Sequence, residues 1–167
     1  ALIVSSGPSL DKNIDQLKLL QEHVIIIAAE SIHEKLRKHG IIPDFVSVLE
    51  RGENVYNDFF KDKEFNKKTT LLGQTVIEKS IFDNYPHQKI VLTKSNTYWG
   101  RTLSEAMNMD NSIDAGTSVA HMNLTFADKL GCDPIILVGQ DLSYSEEGST
   151  HANETVYDSL DFETDHY

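Results

Sequence analysis

Three short segments hold side chains suited to gripping an anion or moving a proton. Ser5-Ser6-Gly7-Pro8-Ser9 joins an apolar run to a helical pattern. Backbone N–H groups at such a junction can face an anion, with Gly7 allowing close approach and Ser9 adding a hydroxyl. A tight turn capped by Ser9 accounts for the same residues, and the segment is neither G-x-G-x-x-G nor a Walker loop. Asp114-Ala115-Gly116-Thr117-Ser118 opens the clearest helical pattern of the chain. Free amides there, with two hydroxyls, would hold a phosphate or ribose. A plain N-cap by Asp114 or Thr117 is the competing reading. The third segment is Gly139-Gln140-Asp141, followed by Ser143, Tyr144, Gly148, Ser149, Thr150 and His151. A solvated loop with Asp141 as a turn residue is possible. Function is favoured here, because Asp141 follows an apolar run expected to be buried and the loop is too polar to be merely packed.

The elements that would position these segments alternate short apolar runs with helical patterns. Ala1–Val4, Val24–Ala29, Phe45–Leu49, Leu71–Leu72, Ile90–Thr93 and Pro134–Gly139 read as strands. They lack polar alternation, so both faces are expected to be covered. Helices are expected after Asp11 (Leu10, Ile14 and Leu17 at helical spacing), over Ser31–His39, Asn54–Phe60 and Val76–Phe82, and over Thr117–Leu130, where Val119, Met122, Phe126 and Leu130 share a face. Lys35, Arg37, Lys38 and His39 suit the negative end of the second helix, and Gly40 stops it. The pattern predicts an α/β fold, a Rossmann-like, mainly parallel sheet with helices on both faces. Ligands sit at the carboxyl ends of such strands. That rule singles out Ser5–Ser9, Glu50–Arg51 and Gln140–Asp141.

Composition narrows the classes. A length of 167 residues suits one domain with its own core. The net charge of −11 repels phosphate backbones and disfavours nucleic acid. The single cysteine, Cys132, excludes a disulfide framework and any zinc site built from several cysteines; it reads as a small buried hydrophobe. His23, His33, His39, His87 and His121 show no metal-ligand spacing, so no metal site is expected. No apolar run approaches the ~20 residues of a membrane helix, so no membrane contact is expected. No signal peptide is visible, and a cytoplasmic location is expected, although the chain starts without methionine inside an apolar run. Tyr98 and Trp99 suit either the core or a pocket wall. The segment Ala152–Tyr167 carries Glu154, Asp158, Asp161, Glu163 and Asp165 and no Lys or Arg. The expected division is therefore a Rossmann-like domain over 1–151, for which the resemblance set out next implies nucleotide-sugar binding, and an acidic tail, lid or linker over 152–167.

Read in order, Gly7-Pro8-Ser9-Leu10, Gly40-Ile41-Ile42-Pro43-Asp44, Glu50-Arg51-Gly52, Gly116-Thr117-Ser118, Leu130 through Leu142 and Thr150-His151-Ala152 resemble the motility accessory factor family, bacterial flagellin glycosyltransferases. The same domain is similar to that of archaeal 6-hydroxymethylpterin diphosphokinases. Gly-Pro-Ser-Leu, and the Thr-Ser helix start leading to an apolar strand ending in Asp, also resemble bacterial sialyltransferases that use CMP-sialic acid. The resemblance implies that a nonulosonic acid of pseudaminic, legionaminic or sialic type leaves CMP and joins a Ser or Thr hydroxyl of flagellin. By resemblance Gly7, Ser9, Thr117 and Ser118 contact CMP. Asp141 holds the ribose or orders the loop. His151 is a phosphate ligand and candidate general acid, so Asp141 and His151 form the candidate catalytic pair. Glu30, Glu50, Gly116, Gln140, Ser143 and Tyr144 complete the candidate nucleotide-binding set. The CMP-nonulosonate donor and the flagellin acceptor are the implied partners, with no tightly bound cofactor.

The departures from the family pattern bear on mechanism. Ser5 replaces the first glycine of Gly-x-Gly-Pro-Ser-Leu. The phosphate-binding tyrosine of the sialyltransferases is replaced by His151, with Tyr144 nearby. Their histidine base lies further along the chain, where only His166 follows, so the general base is unassigned. A pterin diphosphokinase would instead need Mg²⁺, for which Asp44, Glu50 and Asp141 are the available carboxylates. A non-catalytic nucleotide-binding or interaction module is the third reading.

Overall fold

The computed structural model describes residues 1–108, 111–146 and 148–159. Seven parallel strands form one sheet: β1 (Leu2–Val4), β2 (Ile26–Ala29), β3 (Phe45–Val48), β4 (Thr70–Gln74), β5 (Lys89–Lys94), β6 (Ser112–Ile113) and β7 (Ile136–Val138). Their spatial order is β6-β5-β4-β3-β2-β1-β7, every neighbouring pair parallel. The helices are α1 (Ile14–Leu20), α2 (His33–Lys38), α3 (Asn54–Phe59), α4 (Lys79–Asn84), α5 (Tyr98–Met107) and α6 (Val119–Lys129). Strands β1 to β6 step outward in one direction. The chain then returns through α6 to place β7 on the other side of β1. The order therefore reverses at β1, and at such a reversal the strand ends part to leave a crevice.

The uniformly apolar strands serve both faces, as their lack of alternation required. Leu2, Val4, Ile26 and Ala28 point to one side, where Leu10, Ile14, Leu17, Ile32 and Leu36 of the first two helical segments cover them. Ile3 and Ile27 point to the other side and meet Met122, Phe126 and Ala127 of α6. Val48 and Leu71 join Val55 of α3 and Ile81 of α4 in a third cluster.

Several local expectations are corrected. Asp11 caps no helix. Its segment is a 3₁₀ turn, Pro8–Lys12, and its carboxylate pairs with Lys35. Lys35 is accordingly buried rather than placed at the solvated end of α2. Ser31 lies in a 3₁₀ turn, Glu30–Ile32, that precedes α2. The helix read over Val76–Phe82 starts at Lys79. Strand β6, two residues long, was not read, and neither was α5, although its residues are amphipathic at helical spacing. Tyr98 and Trp99 lie on α5, 68% and 77% exposed, in neither the core nor the pocket. Strand β7 is the sheet edge, with Ile136 and Leu137 about half exposed, so an unalternating apolar run did not mean burial on both faces here. Of the segment read as tail, lid or linker, Ala152 is fully buried and its N–H donates to the Ser6 carbonyl, while Val156–Ser159 forms a 3₁₀ turn. Residues 160–167 lie outside the described residues. No helix among the described residues is long and apolar enough to cross a membrane.

Two buried ionisable groups tie folding to pH in opposite directions. His33 stacks on Phe65 with ring centroids 4.3 Å apart, and burial pushes its pKa down to about 4. The unfolded chain then binds the proton first, so this contribution to stability is lost as pH falls from about 6.5 toward 4. Burial pushes Glu30 up to about 7. The folded state binds that proton first, so its contribution is lost as pH rises from about 4.5 toward 7. His33→Phe should remove the first term and leave the second. Its urea midpoint should rise between pH 7.5 and pH 5 relative to that of the wild type. An identical pH slope in the two proteins would refute the assignment to His33.

Candidate functional site at the strand-order reversal

A cavity of about 610 Å³ opens at the carboxyl ends of β1, β2, β3 and β7. This is within the usual size range for a small-molecule site. The loop after β1 supplies Ser5, Ser6 and Gly7; the β2 end supplies Glu30 and Ser31; and the β3 end supplies Glu50. The start of α6 contributes Thr117, Ser118, Val119 and Ala120. The β7 end and its loop contribute Gln140, Asp141, Ser143, Tyr144 and His151, and Tyr157 closes one side. Ten of the twelve candidate residues of the sequence reading thus share one cavity. Gly116 and Ser9 do not line it. Gly116 has φ +55 and lies against His121, where a Cβ would stand 2.8 Å from the histidine Cβ. Ser9 lines a neighbouring cavity that shares Asp141, Ser143, Tyr144 and His151.

The loop after β1 does not act as an amide cradle. The Gly7 N–H donates to the Gly139 carbonyl at 2.7 Å, and the Ser9 N–H donates to Asp141 Oδ2 at 2.8 Å. A Cβ on Gly7 would lie 2.4 Å from that same carboxylate oxygen. Gly7 is needed so that the loop can close on the β7 end. Asp141 holds the loop in that place, and the Ser5 hydroxyl, donating to Gln140 Oε1 at 2.9 Å, adds a second tie. Asp141 therefore acts through the loop: one of its oxygens is engaged by the protein itself.

The start of α6 is different. The Ser118 hydroxyl accepts from the His121 N–H at 3.3 Å and lies 3.0 Å from His121 Nδ1. Ser118 thus caps the helix, a role the sequence reading gave to Asp114 or Thr117. Asp114 Oδ1 instead accepts from the Gly116 N–H. Val119 and Ala120, the first two residues of this 11-residue helix, lie on the cavity wall. The positive end of the helix dipole faces the cleft at that point.

Charge in the cleft is lopsided. Among the described residues neither Lys nor Arg lines it, whereas Glu30, Glu50 and Asp141 do. Glu30 is buried, and its Oε2 has no hydrogen-bond partner among the described residues. Its pKa is raised chiefly by burial. The carboxyl's bond from its own backbone opposes the shift, and the negative charge of Glu50 adds to it. On the opposite wall the His151 ring stacks on Tyr157, with centroids 3.7 Å apart and planes 19° from parallel. Thr150 Oγ1 lies 2.8 Å from His151 Nδ1. The Tyr157 hydroxyl is raised above its ordinary pKa, mainly by burial. Sequence reasoning missed Tyr157, because it sits in an acidic stretch without apolar period. It also missed Ser31, which the strand-end rule would have found had it been applied to β2.

The carboxylates proposed for Mg²⁺ do not gather. Asp44 precedes β3, at the opposite end of that strand from Glu50, and its Oδ2 accepts from the Ile26 N–H at 2.8 Å. Among the described residues no three His, Cys, Asp or Glu side chains are grouped to hold a metal ion. The set Asp44, Glu50 and Asp141 does not fit that cation.

This cleft and sheet order can be set beside known proteins. The family described as 6-hydroxymethylpterin diphosphokinase MptE-like matches residues 1–147. The chain belongs to that family. The Maf glycosyltransferase from Magnetospirillum magneticum AMB-1 is similar in structure, with a TM-score of 0.71 and 26% sequence identity over 89% of this chain. The match spans 24% of the length of that glycosyltransferase. No curated protein matches the chain. The expected relationship to both groups, and the Rossmann-like parallel sheet, are thus found.

Proposed function

We propose that this MptE-like domain binds the CMP moiety of a CMP-nonulosonate and serves glycosyl transfer to a Ser or Thr hydroxyl of flagellin in the cytoplasm. The observation that carries the reading is the meeting of Thr117, Ser118 and the α6 start with His151 across one cleft at the strand-order reversal. A leaving CMP phosphate gains negative charge as the glycosidic bond breaks. Helix-start amides and hydroxyls stabilise that charge without reorganising, and a protonated imidazole adds a charge-assisted hydrogen bond. With no Lys or Arg lining the cavity among the described residues, the helix-start amides, the hydroxyls and the His151 imidazole are the groups available to bind an anion. The likeness to the Maf glycosyltransferase supports transfer chemistry, and the family description supports nucleotide use.

Calorimetric titration with CMP, and separately with ATP and Mg²⁺, tests the reading. CMP should bind. Ser118→Ala should weaken it by about 1.5–3 kcal/mol, the worth of a hydrogen bond to a charged group. Loss of the helix cap should lower stability by a further ~1 kcal/mol, read separately from a thermal melt. His151→Ala should weaken CMP binding while leaving the fold intact. Binding of ATP with Mg²⁺ but not CMP would turn the assignment to diphosphate transfer.

A further inference from the structure

The proposed transfer lacks a group to take the proton of the incoming hydroxyl, and the cleft supplies one. We propose that Glu30 Oε2 is the proton acceptor for the acceptor hydroxyl, an inference that rests on the glycosyl-transfer reading. Glu30 is 7% exposed, lines the cavity at the end of β2, and its Oε2 meets no donor among the described residues. A buried carboxyl oxygen without a partner is costly unless a ligand supplies the missing hydrogen bond. A substrate hydroxyl is such a donor.

The other acidic groups of the cleft are less suited. Asp141 Oδ2 already accepts from the Ser9 N–H, so that carboxylate is tied to the loop. Glu50 is exposed to solvent at the β3 end. Its charge lies close enough to favour the proton on Glu30. The groups facing Glu30 from neighbouring elements are Glu50 after β3 and Tyr157 from the 3₁₀ turn, and Asp141 and His151 also line the cavity. None of these is a Lys or Arg that would hold Glu30 ionised. A carboxyl lifted to about 7 is ionised in part at neutral pH and is basic enough to hold a proton once taken.

The step balances without a further reactant. The acceptor O–H gives its proton to Glu30 Oε2 as its oxygen bonds to the anomeric carbon. The bond from that carbon to the CMP phosphate oxygen breaks, and its electron pair leaves on the phosphate. CMP departs, and Glu30 returns the proton to solvent.

The test uses the full-length protein with CMP-pseudaminate, CMP-legionaminate and CMP-N-acetylneuraminate, scoring both transfer to flagellin and hydrolysis to water. Glu30, which the resemblance puts in the nucleotide-binding set, is here reassigned to the acceptor hydroxyl; Glu30→Gln keeps the size of the side chain and an acceptor oxygen, so donor KM should stay within about threefold while kcat falls by about 10²–10⁴-fold. The acidic limb of the wild-type kcat profile near pH 7 should vanish in the variant. Infrared difference spectra of the CMP-bound protein should show a carboxyl band titrating near pH 7 that Glu30→Gln lacks. Full activity of Glu30→Gln, a loss confined to donor KM, or a Glu30 carboxyl that stays ionised to pH 5 would overturn the proposal alone. Failure of the wild type to bind CMP, or to consume any of the three donors, would overturn the glycosyl-transfer reading and this proposal with it.

Discussion

Gly139→Ala is expected to lower the melting temperature by roughly 4–20 °C and to abolish CMP binding at ordinary ligand concentrations. Gly139 follows β7 with φ +67, and a Cβ there would stand 2.2 Å from the Ser5 carbonyl oxygen and 3.2 Å from Leu10 Cβ. The left-handed backbone costs a non-glycine residue ~1–2 kcal/mol, and forcing atoms into a packed site costs ~1–3 kcal/mol more. At ~2–4 °C per kcal/mol for a domain of this size, the sum gives the stated range. Neither chain can yield easily. The Ser5 N–H is held by the Val138 carbonyl at 2.9 Å, and Gly7 is held by Gly139 itself. Separating them would pull the Ser5–Gly7 loop off the Asp141 carboxylate and open the cleft floor. Gly148→Ala is the control. Its φ is +87, yet nothing lies within 4 Å of the added Cβ, so only the backbone term of ~1–2 kcal/mol remains. Equal melting temperatures for the two variants would show that the close approach of β7 to the β1 loop is not rigid.

Lys35→Met should cost about 3–5 kcal/mol, by breaking a buried ion pair that joins three parts of the chain. Lys35 of α2 is 3% exposed; its Nζ pairs with the Asp11 carboxylate and donates to the Asn153 carbonyl at 2.7 Å. Asp11 Oδ2 also accepts from the Asn153 N–H at 3.0 Å. One cation and one carboxylate thus pin residues 152–155 to the body of the domain. The same segment carries Tyr157 to its stack on His151. Removing the cation strands Asp11 in a partly buried place and frees the segment. Limited proteolysis should then cut after residue 151 sooner than elsewhere, and CMP affinity should fall although no cavity residue has changed. Pairing Lys35→Met with Asp11→Leu should recover much of the stability, since apolar replacement of a buried pair is often neutral. Unchanged melting and unchanged proteolysis in Lys35→Met would remove the latch from the account of the site.

How much of this was legible beforehand varies with the range of the interaction. The apolar runs at Leu2–Val4 and Ile26–Ala29, without alternation, read as strands covered on both faces, and the helical spacing of Met122 and Phe126 reads as a face packed on such a sheet, as the core shows. Parallel order and a site at the strand ends follow from those local patterns. Helix α5 is amphipathic at helical spacing, and its pattern was present in the sequence but not read, whereas strand β6 has only two residues, too few to leave a periodic trace. The edge position of β7 left none either, because it depends on where the α6 crossover returns rather than on the strand's own residues.

The sequence by itself determined the layers and the residues able to do chemistry, since both depend on side-chain type and short-range spacing. The tertiary structure alone decided what each candidate is free to do. Asp141 and the Gly7 and Ser9 amides looked like ligand groups, but across more than a hundred residues Asp141 accepts from the Ser9 N–H and the Gly139 carbonyl accepts from the Gly7 N–H. Glu30 at the end of β2 was left with an unpartnered oxygen inside the cleft, and Tyr157 was brought to His151 by a latch built on Lys35. Partnering depends on distances between segments remote in sequence, and no local pattern encodes those distances.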